Sequence, residues 1–221
     1  MDIVWMTVAF LLAYVLGSIP TGLIIVRLKT GKDLRQEHSG RTGGTNAARA
    51  AGTWVGIATA VGDGFKAALA VWMARLLVHG SNWTPVIAGV IAILGHNYSV
   101  FLIERIEGRL RLRGGAGGAP TVGAAIGLWP PIALIILPAA AICLFVIGYA
   151  SLATLSTAAT AGVVFLVRAV GGVGAWANGA YALGAAVLLV VALRPNIRRL
   201  LDGTERVVGL RARRAHKASG G

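Results

Sequence analysis

The chain has 221 residues, 56% of them apolar and only 13% charged, yet its formal net charge is +13. A mean hydropathy of +0.74 excludes an ordinary soluble domain, which would leave large apolar patches facing water, and points to a membrane protein. Basic loops beside apolar spans then explain the charge through the positive-inside rule and anionic headgroups, without nucleic acid. The lone Cys143 excludes an internal disulfide or cysteine metal site and reads as a small buried hydrophobe. Asp2 is the only charge before Arg27, so no cleavable signal peptide is expected.

A helix needs roughly 20 apolar residues to cross hydrocarbon. Apolar runs lie at 4–26, 54–77, 85–103, 119–137, 139–152, 153–168 and 179–193, with Pro138 a natural turn between the fourth and fifth. The pattern predicts an all-α integral membrane protein of seven spans, forming one membrane domain over residues 1–221. Residues 27–53 carry six Lys/Arg, residues 104–118 four and residues 194–221 eight, so 18 of the 21 basic residues share one face. The positive-inside rule makes that face cytoplasmic, with the N-terminus outside and the C-terminus inside. Residues 27–53 and 104–118 become cytoplasmic loops, and residues 207–221 a basic tail lying on anionic lipid.

Five polar stretches interrupt this pattern. In "SGRTGGTNAAR", 39–49, the glycines permit tight turns in which several N–H groups converge on one anion. A short helix is expected from about Thr45 to Gly52, with Thr45 and Arg49 on one face and Arg49 offering a planar fork to phosphate oxygens. A flexible connector whose arginines touch lipid is the alternative. In "GDGFK", 62–66, Asp63 and Lys66 sit one turn apart inside a span, as a proton relay or, preferably, as a pair locking the bundle. His96 in "GHNYSVF" is a membrane histidine that needs a purpose or a partner.

"RLRLRGGAGGAPT", 109–121, packs four glycines into five positions ahead of a helix start, a second potential anion cradle. It lacks the Gly-Lys-Ser/Thr of a P-loop, and a loop that simply needs helix breakers is the competing reading. "NIRRLLDGTER", 196–206, reads as an amphipathic interfacial segment with Asn196 nearest the membrane. There is no G-x-S-x-G elbow, no His-x4-Asp and no zinc spacing. Any catalyst here works without a preassembled nucleophile or metal.

These stretches, together with "GSIPTGLIIVRL" and "YASLAT", occur in an order that resembles the acyl-phosphate:glycerol-3-phosphate acyltransferase family of bacterial inner membranes, over nearly the whole chain. The resemblance implies seven spans and a cytoplasmic active site without cofactor or metal. The implied reaction moves an acyl chain from acyl phosphate to the sn-1 hydroxyl of glycerol 3-phosphate, giving lysophosphatidic acid and phosphate. Membrane lipids surround the protein, which is expected to be a monomer. Ser39, Gly40, Gly43, Thr45, Asn46 and Arg49 match the family's first phosphate loop, and Gly114, Gly115 and Gly117 its second. Ser151, Asn196 and Glu205 match later motifs, and Ser39, Arg49 and Asn196 are the expected catalytic residues. Asp63, Lys66 and His96 are expected to support them.

Three positions depart from the family. Arg41 stands where it has asparagine, Ala116 where it has lysine and Leu193 where it has histidine. Arg41 and Arg113 are the nearby cations that can replace the lost charge, though arginine is not equivalent to lysine. Two other readings follow from the same features: a divergent homologue that binds a lipid phosphate, and a small anion transporter built on Asp63 and Lys66.

Overall fold

The computed structural model describes residues 2–106 and 108–212. Helix α1 (Asp2–Ser18) breaks at Ile19–Pro20 and resumes as α2 (Thr21–Thr30). A short helix, α3 (Gly44–Ala51), precedes the long α4 (Thr53–Leu77) and α5 (Trp83–Asn97). An antiparallel hairpin, β1 (Ser99–Ile106) and β2 (Arg109–Arg113), leads into α6 (Gly118–Leu128). Helices α7 (Ala133–Ile142), α8 (Ala150–Val170) and α9 (Ala177–Leu201) follow. Among the described residues, five helical stretches are long and apolar enough to cross a membrane: Asp2–Thr30, Thr53–Leu77, Pro130–Ile147, Ala150–Val170 and Ala177–Leu201. Two shorter apolar helices, α5 and α6, lie among them.

The core where these helices meet is built largely of small side chains. Ala13, Ala67, Ala74, Ala88, Ala92 and Ala124 are fully buried. Lipid tails are as apolar as leucine, so leucine gains little by leaving them; small residues let backbones approach and gain dispersion instead. The large apolar residues accordingly sit outside, as at Leu11, Leu134, Val163 and Leu183. Helix α4 is the central post, packed against α1, α3, α5 and α6, while α9 closes the other side against α5 and α8.

Several expected boundaries are corrected. The 85–103 span ends at Asn97, and the chain beyond it is a strand. Ser99 Oγ donates to Ser18 O at 2.5 Å and Val100 N to Ser18 Oγ at 3.4 Å, which ties the chain to the end of α1. The β-rich run that follows then pairs with residues 109–113, so the 104–118 loop is mostly a two-stranded hairpin set on the expected helical membrane fold.

The expected turn at Pro138 is also displaced. Pro138 lies inside α7, and the break falls at Trp129, held extended by the prolines at 130 and 131. The helix through Pro138 ends in a π turn, Cys143–Ile147, of the kind that absorbs a missing backbone bond within a membrane. Spans expected at 119–137 and 139–152 are therefore helices 118–128 and 130–147. The last helix runs through Pro195 to Leu201, eight residues past the expected 193. Cys143 is only partly buried at the π turn. The tail expected at 207–221 is described only to Ala212, where Val208 N donates to Gly148 O at 2.8 Å, so this part rests on the α8 start.

Candidate functional site

The site is assembled at one end of the bundle from four segments distant in sequence. The first, residues 33–43, is a loop that returns to α3. Asp33 receives the Arg35 guanidinium at 2.6 Å, and that hydrogen bond holds its carboxyl at about 2, below the usual carboxylate range. His38 and Gly40 both adopt left-handed backbone, φ 45° and 67°, to turn the chain back. Asn46 fixes the result: its amide donates to the carbonyls of Leu34 (3.2 Å), Glu37 (3.0 Å) and Arg41 (2.8 Å) and accepts from Ser39 N at 3.4 Å. This phosphate-loop candidate is buried and its amide is occupied by the loop it organises. Ser39, Thr45 and Arg49 remain exposed beside it, and Thr45 and Arg49 share the open face of α3 as expected. The helix begins at Gly43, around which a side chain would meet nothing, and ends at Gly52 with φ 100°.

The second segment, Gly114–Gly117, crosses directly over the first. Thr42 N donates to Gly114 O at 3.4 Å, and Gly115 N donates to His96 O at 2.9 Å. A Cβ at Gly115 would fall on the His96 imidazole, so only glycine lets the loop pass. Gly117, at φ 91°, caps the start of α6. Arg113 does not enter the glycine turn as its spacing suggested. Its Nε lies 3.2 Å from Glu104, with the guanidinium beside Gly40.

Beneath these loops His96 belongs to a buried intramembrane cluster. Lys66 Nζ lies 2.8 Å from Asp63 Oδ1 and donates to Ile19 O at 2.6 Å, at the α1–α2 break. His96 Nδ1 lies 3.2 Å from Lys66 Nζ and 3.5 Å from Asp63 Oδ1. The expected Asp63–Lys66 pair is thus formed, and His96 joins it to the second glycine loop.

The third and fourth segments are the start of α8 and the end of α9. Ser151, in the first turn of α8, is buried and its hydroxyl has no well-formed hydrogen bond. Asn196 Nδ2 donates to Glu205 at 2.7 Å and Arg199 Nε donates to it at 2.9 Å. Burial alone would raise the Glu205 carboxyl, but these bonds and the Arg199 charge hold it below its ordinary value. Arg41 reaches across to α9, donating to Ala192 O at 2.6 Å, next to the buried Leu193. Burial lowers the Arg41 proton affinity, Arg199 lowers it further and Glu205 opposes both. At Arg49, burial lowers it most, Arg206 adds to that and Glu205 opposes.

Arg199 thus contacts the Glu205 carboxylate directly, and Arg41 and Arg49 lie within its electrostatic reach, with Arg206 in turn felt at Arg49. Arg199 and Arg206 were not singled out from sequence, although Arg199 lies one turn beyond Asn196 on the same helix face. Ala116 is partly buried between the glycines and supplies no charge. Among the described residues, no group of three or more His, Cys, Asp or Glu side chains is placed to hold a metal ion. The arrangement suits a ligand with concentrated negative charge, presented between glycine turns and arginines at the edge of apolar helices.

Comparison with known proteins agrees with this chemistry. Residues 7–203 match the family model described as glycerol-3-phosphate acyltransferase. The chain is 40% identical over 198 residues to a glycerol-3-phosphate acyltransferase of Geotalea daltonii, covering 88% of this chain and 93% of that one. It is 37% identical over 202 residues to one from Thermus thermophilus, covering 91% and 94%. The crystal structure of PlsY, an integral membrane glycerol 3-phosphate acyltransferase in its glycerol 3-phosphate form, superposes with a TM-score of 0.77 at 31% identity, covering 92% of this chain and 96% of that one. Its lysophosphatidic acid form superposes with a TM-score of 0.75 at 29% identity, covering 92% and 95%.

Proposed function

We propose that this chain, which belongs to the glycerol-3-phosphate acyltransferase family, moves a fatty acyl group from acyl phosphate to the sn-1 hydroxyl of glycerol 3-phosphate. It is a multi-pass membrane acyltransferase of phospholipid synthesis. The bacterial inner membrane is the proposed location, with seven spans, the N-terminus outside and the two glycine loops, 27–53 and 104–118, facing the cytoplasm. A single membrane domain acting as a monomer, without cofactor, suffices for the reaction.

The observation that carries this reading is the surplus of arginine over carboxylate where the two glycine turns cross. Both substrates are phosphate-bearing anions, and holding them together requires cancelling their mutual repulsion. Acyl phosphate is a mixed anhydride whose carbonyl is already activated, so positioning replaces a protein nucleophile. The glycerol hydroxyl oxygen bonds to the carbonyl carbon, the carbon–oxygen bond to phosphate breaks, and the hydroxyl proton passes to a substrate phosphate oxygen. Arg49 and Arg41 hold phosphate charge, with Ser39, Thr45, Ser151 and the backbone N–H groups of Gly43, Gly114 and Gly117 as neutral donors, while the Gly115 N–H stays on His96 O and fixes the second turn. Arg113 borders the cradle, and Asn196 and Glu205 keep the Arg199 fork in place. Asp63, Lys66 and His96 support the loops from below. That cluster is closed on itself, which argues against a transporter's relay.

The test is an assay of purified protein with palmitoyl phosphate and labelled glycerol 3-phosphate, with palmitoyl coenzyme A as the alternative donor. Lysophosphatidic acid formed from the phosphate donor alone is the expected result. Binding of both substrates with no product would favour a divergent lipid-phosphate-binding homologue.

A further inference from the structure

We propose that the β1–β2 hairpin is a lipid-surface anchor whose apolar face rests in an anionic leaflet at the end of α5. Residues directly opposite in an antiparallel pair project from the same face. Ile103 faces Leu112 and Arg105 faces Leu110, which sets those four on one side. Ile103, Leu110 and Leu112 are 50%, 72% and 42% exposed, so among the described residues nothing closes over this side. Neighbouring Phe101 is exposed as well.

The other side carries Glu104 opposite Arg111, with the exposed Arg109 beyond them, and is tied to the protein at Leu102 and Glu104. Leu102 is buried, and Glu104 takes Arg35 Nη1 and Arg113 Nε, each at 3.2 Å. Because Arg35 belongs to the first loop and Glu104 to β1, their pairing holds the hairpin's roll, while Arg113 of β2 meets the same carboxylate from within the hairpin. The apolar side is thereby presented outward as a built surface.

What covers that surface follows from where the hairpin starts and from its charge. β1 begins two residues after the end of an apolar membrane helix, and β2 ends five residues before α6 starts. Both strands therefore leave and re-enter at the membrane boundary. Residues 99–113 carry four arginines against two glutamates, and Arg105, Arg109 and Arg111 are exposed. Leucine alternating with arginine suits the headgroup layer, where leucines enter the acyl boundary and arginine stems snorkel back to lipid phosphates. An isolated two-stranded ribbon is marginal in water, so such a support also explains its order.

The experiment uses full-length protein carrying Cys143→Ala and Leu110→Cys, labelled at 110 with an environment-sensitive dye and reconstituted into vesicles. In phosphatidylglycerol vesicles the dye should shift to the blue and be quenched several-fold more by doxyl-labelled lipid than by aqueous iodide. In phosphatidylcholine the immersion should fall, and Arg109→Gln with Arg111→Gln should bring the phosphatidylglycerol signal down to that level. Iodide quenching as efficient as that of the free dye overturns the proposal. So does a signal indifferent to lipid charge and to the two glutamines. Energy transfer between labels that grows with the protein-to-lipid ratio would assign the face to a second copy, and also overturns it.

Discussion

The molecule holds two polar clusters a few residues apart in space, and they differ in how completely their charges are answered. Below the loops, Asp63 and Lys66 pair at matched charge with His96 beside them, and the lysine also donates to Ile19 O. Above them, Glu205 is paired with Arg199 and answers only part of the charge of Arg41 and Arg49. A buried set with matched charge gains nothing from a ligand and acts as glue between α1, α4 and α5. An incompletely matched set at the bundle's end favours an anionic ligand, which under the proposed function is the phosphate of the substrates.

Breaking the closed cluster should have the largest effect, and on stability. Lys66→Met leaves a buried carboxylate without its cation and should cost about 3–5 kcal/mol. Thermal unfolding in detergent reads this, and adding Asp63→Leu should restore most of it. Breaking the open cluster should leave stability and remove activity. Arg49→Ala should lower kcat/KM by about 2–4 kcal/mol of transition-state stabilisation, with Tm unchanged. Arg49→Lys should recover only part, lacking the fork. If Arg49→Ala keeps its kcat/KM, the contrast between the clusters fails.

Adding charge to the open cluster should sharpen it. Ala116→Lys should raise kcat/KM for glycerol 3-phosphate by about 1.5 kcal/mol, the scale of one hydrogen bond to a charged group. In the same assay Arg113→Ala, which vacates the flank of Gly40, should be more damaging than Arg109→Ala. The smallest effect belongs to the loop's own ion pair. Asp33 titrates at about 2 rather than 3.8 because it accepts from Arg35. Its contribution is therefore complete above about pH 4 and lost as pH falls toward 2. For a solvent-accessible pair it amounts to less than about 1 kcal/mol. Asp33→Asn should lower Tm slightly at neutral pH and erase the difference from the parent near pH 2.

Much of the site could be read from the sequence because its glycines are positional. Gly115 must pass the His96 ring and Gly40 must turn left-handed, so both carry their geometry in their identity. Arg199 and Arg206 carry no such mark. An arginine on the last turn of a membrane helix looks the same whether it faces lipid or its own fold, and only the return of Glu205 onto Asn196 and Arg199 turns Arg199 inward. Asn46 looked like a ligand for phosphate because its amide suits one; three backbone carbonyls use that amide first.

Composition and charge by themselves determined that the chain is a membrane protein with its cations gathered on loops, since burying this much apolar surface and scattering so few charges has no soluble solution. The ordered motifs determined the family. Tertiary structure alone decided where the apolar runs break. Pro138 and the Pro130–Pro131 pair are alike as sequence signals, but Trp129 is held extended while the helix through Pro138 relaxes into a π turn. It also decided that residues 99–113 leave the helix for a hairpin, because the partners that hold them, Ser18 for Ser99 and Arg35 for Glu104, lie far away in the chain. Local propensity cannot weigh contacts that exist only after the bundle has closed.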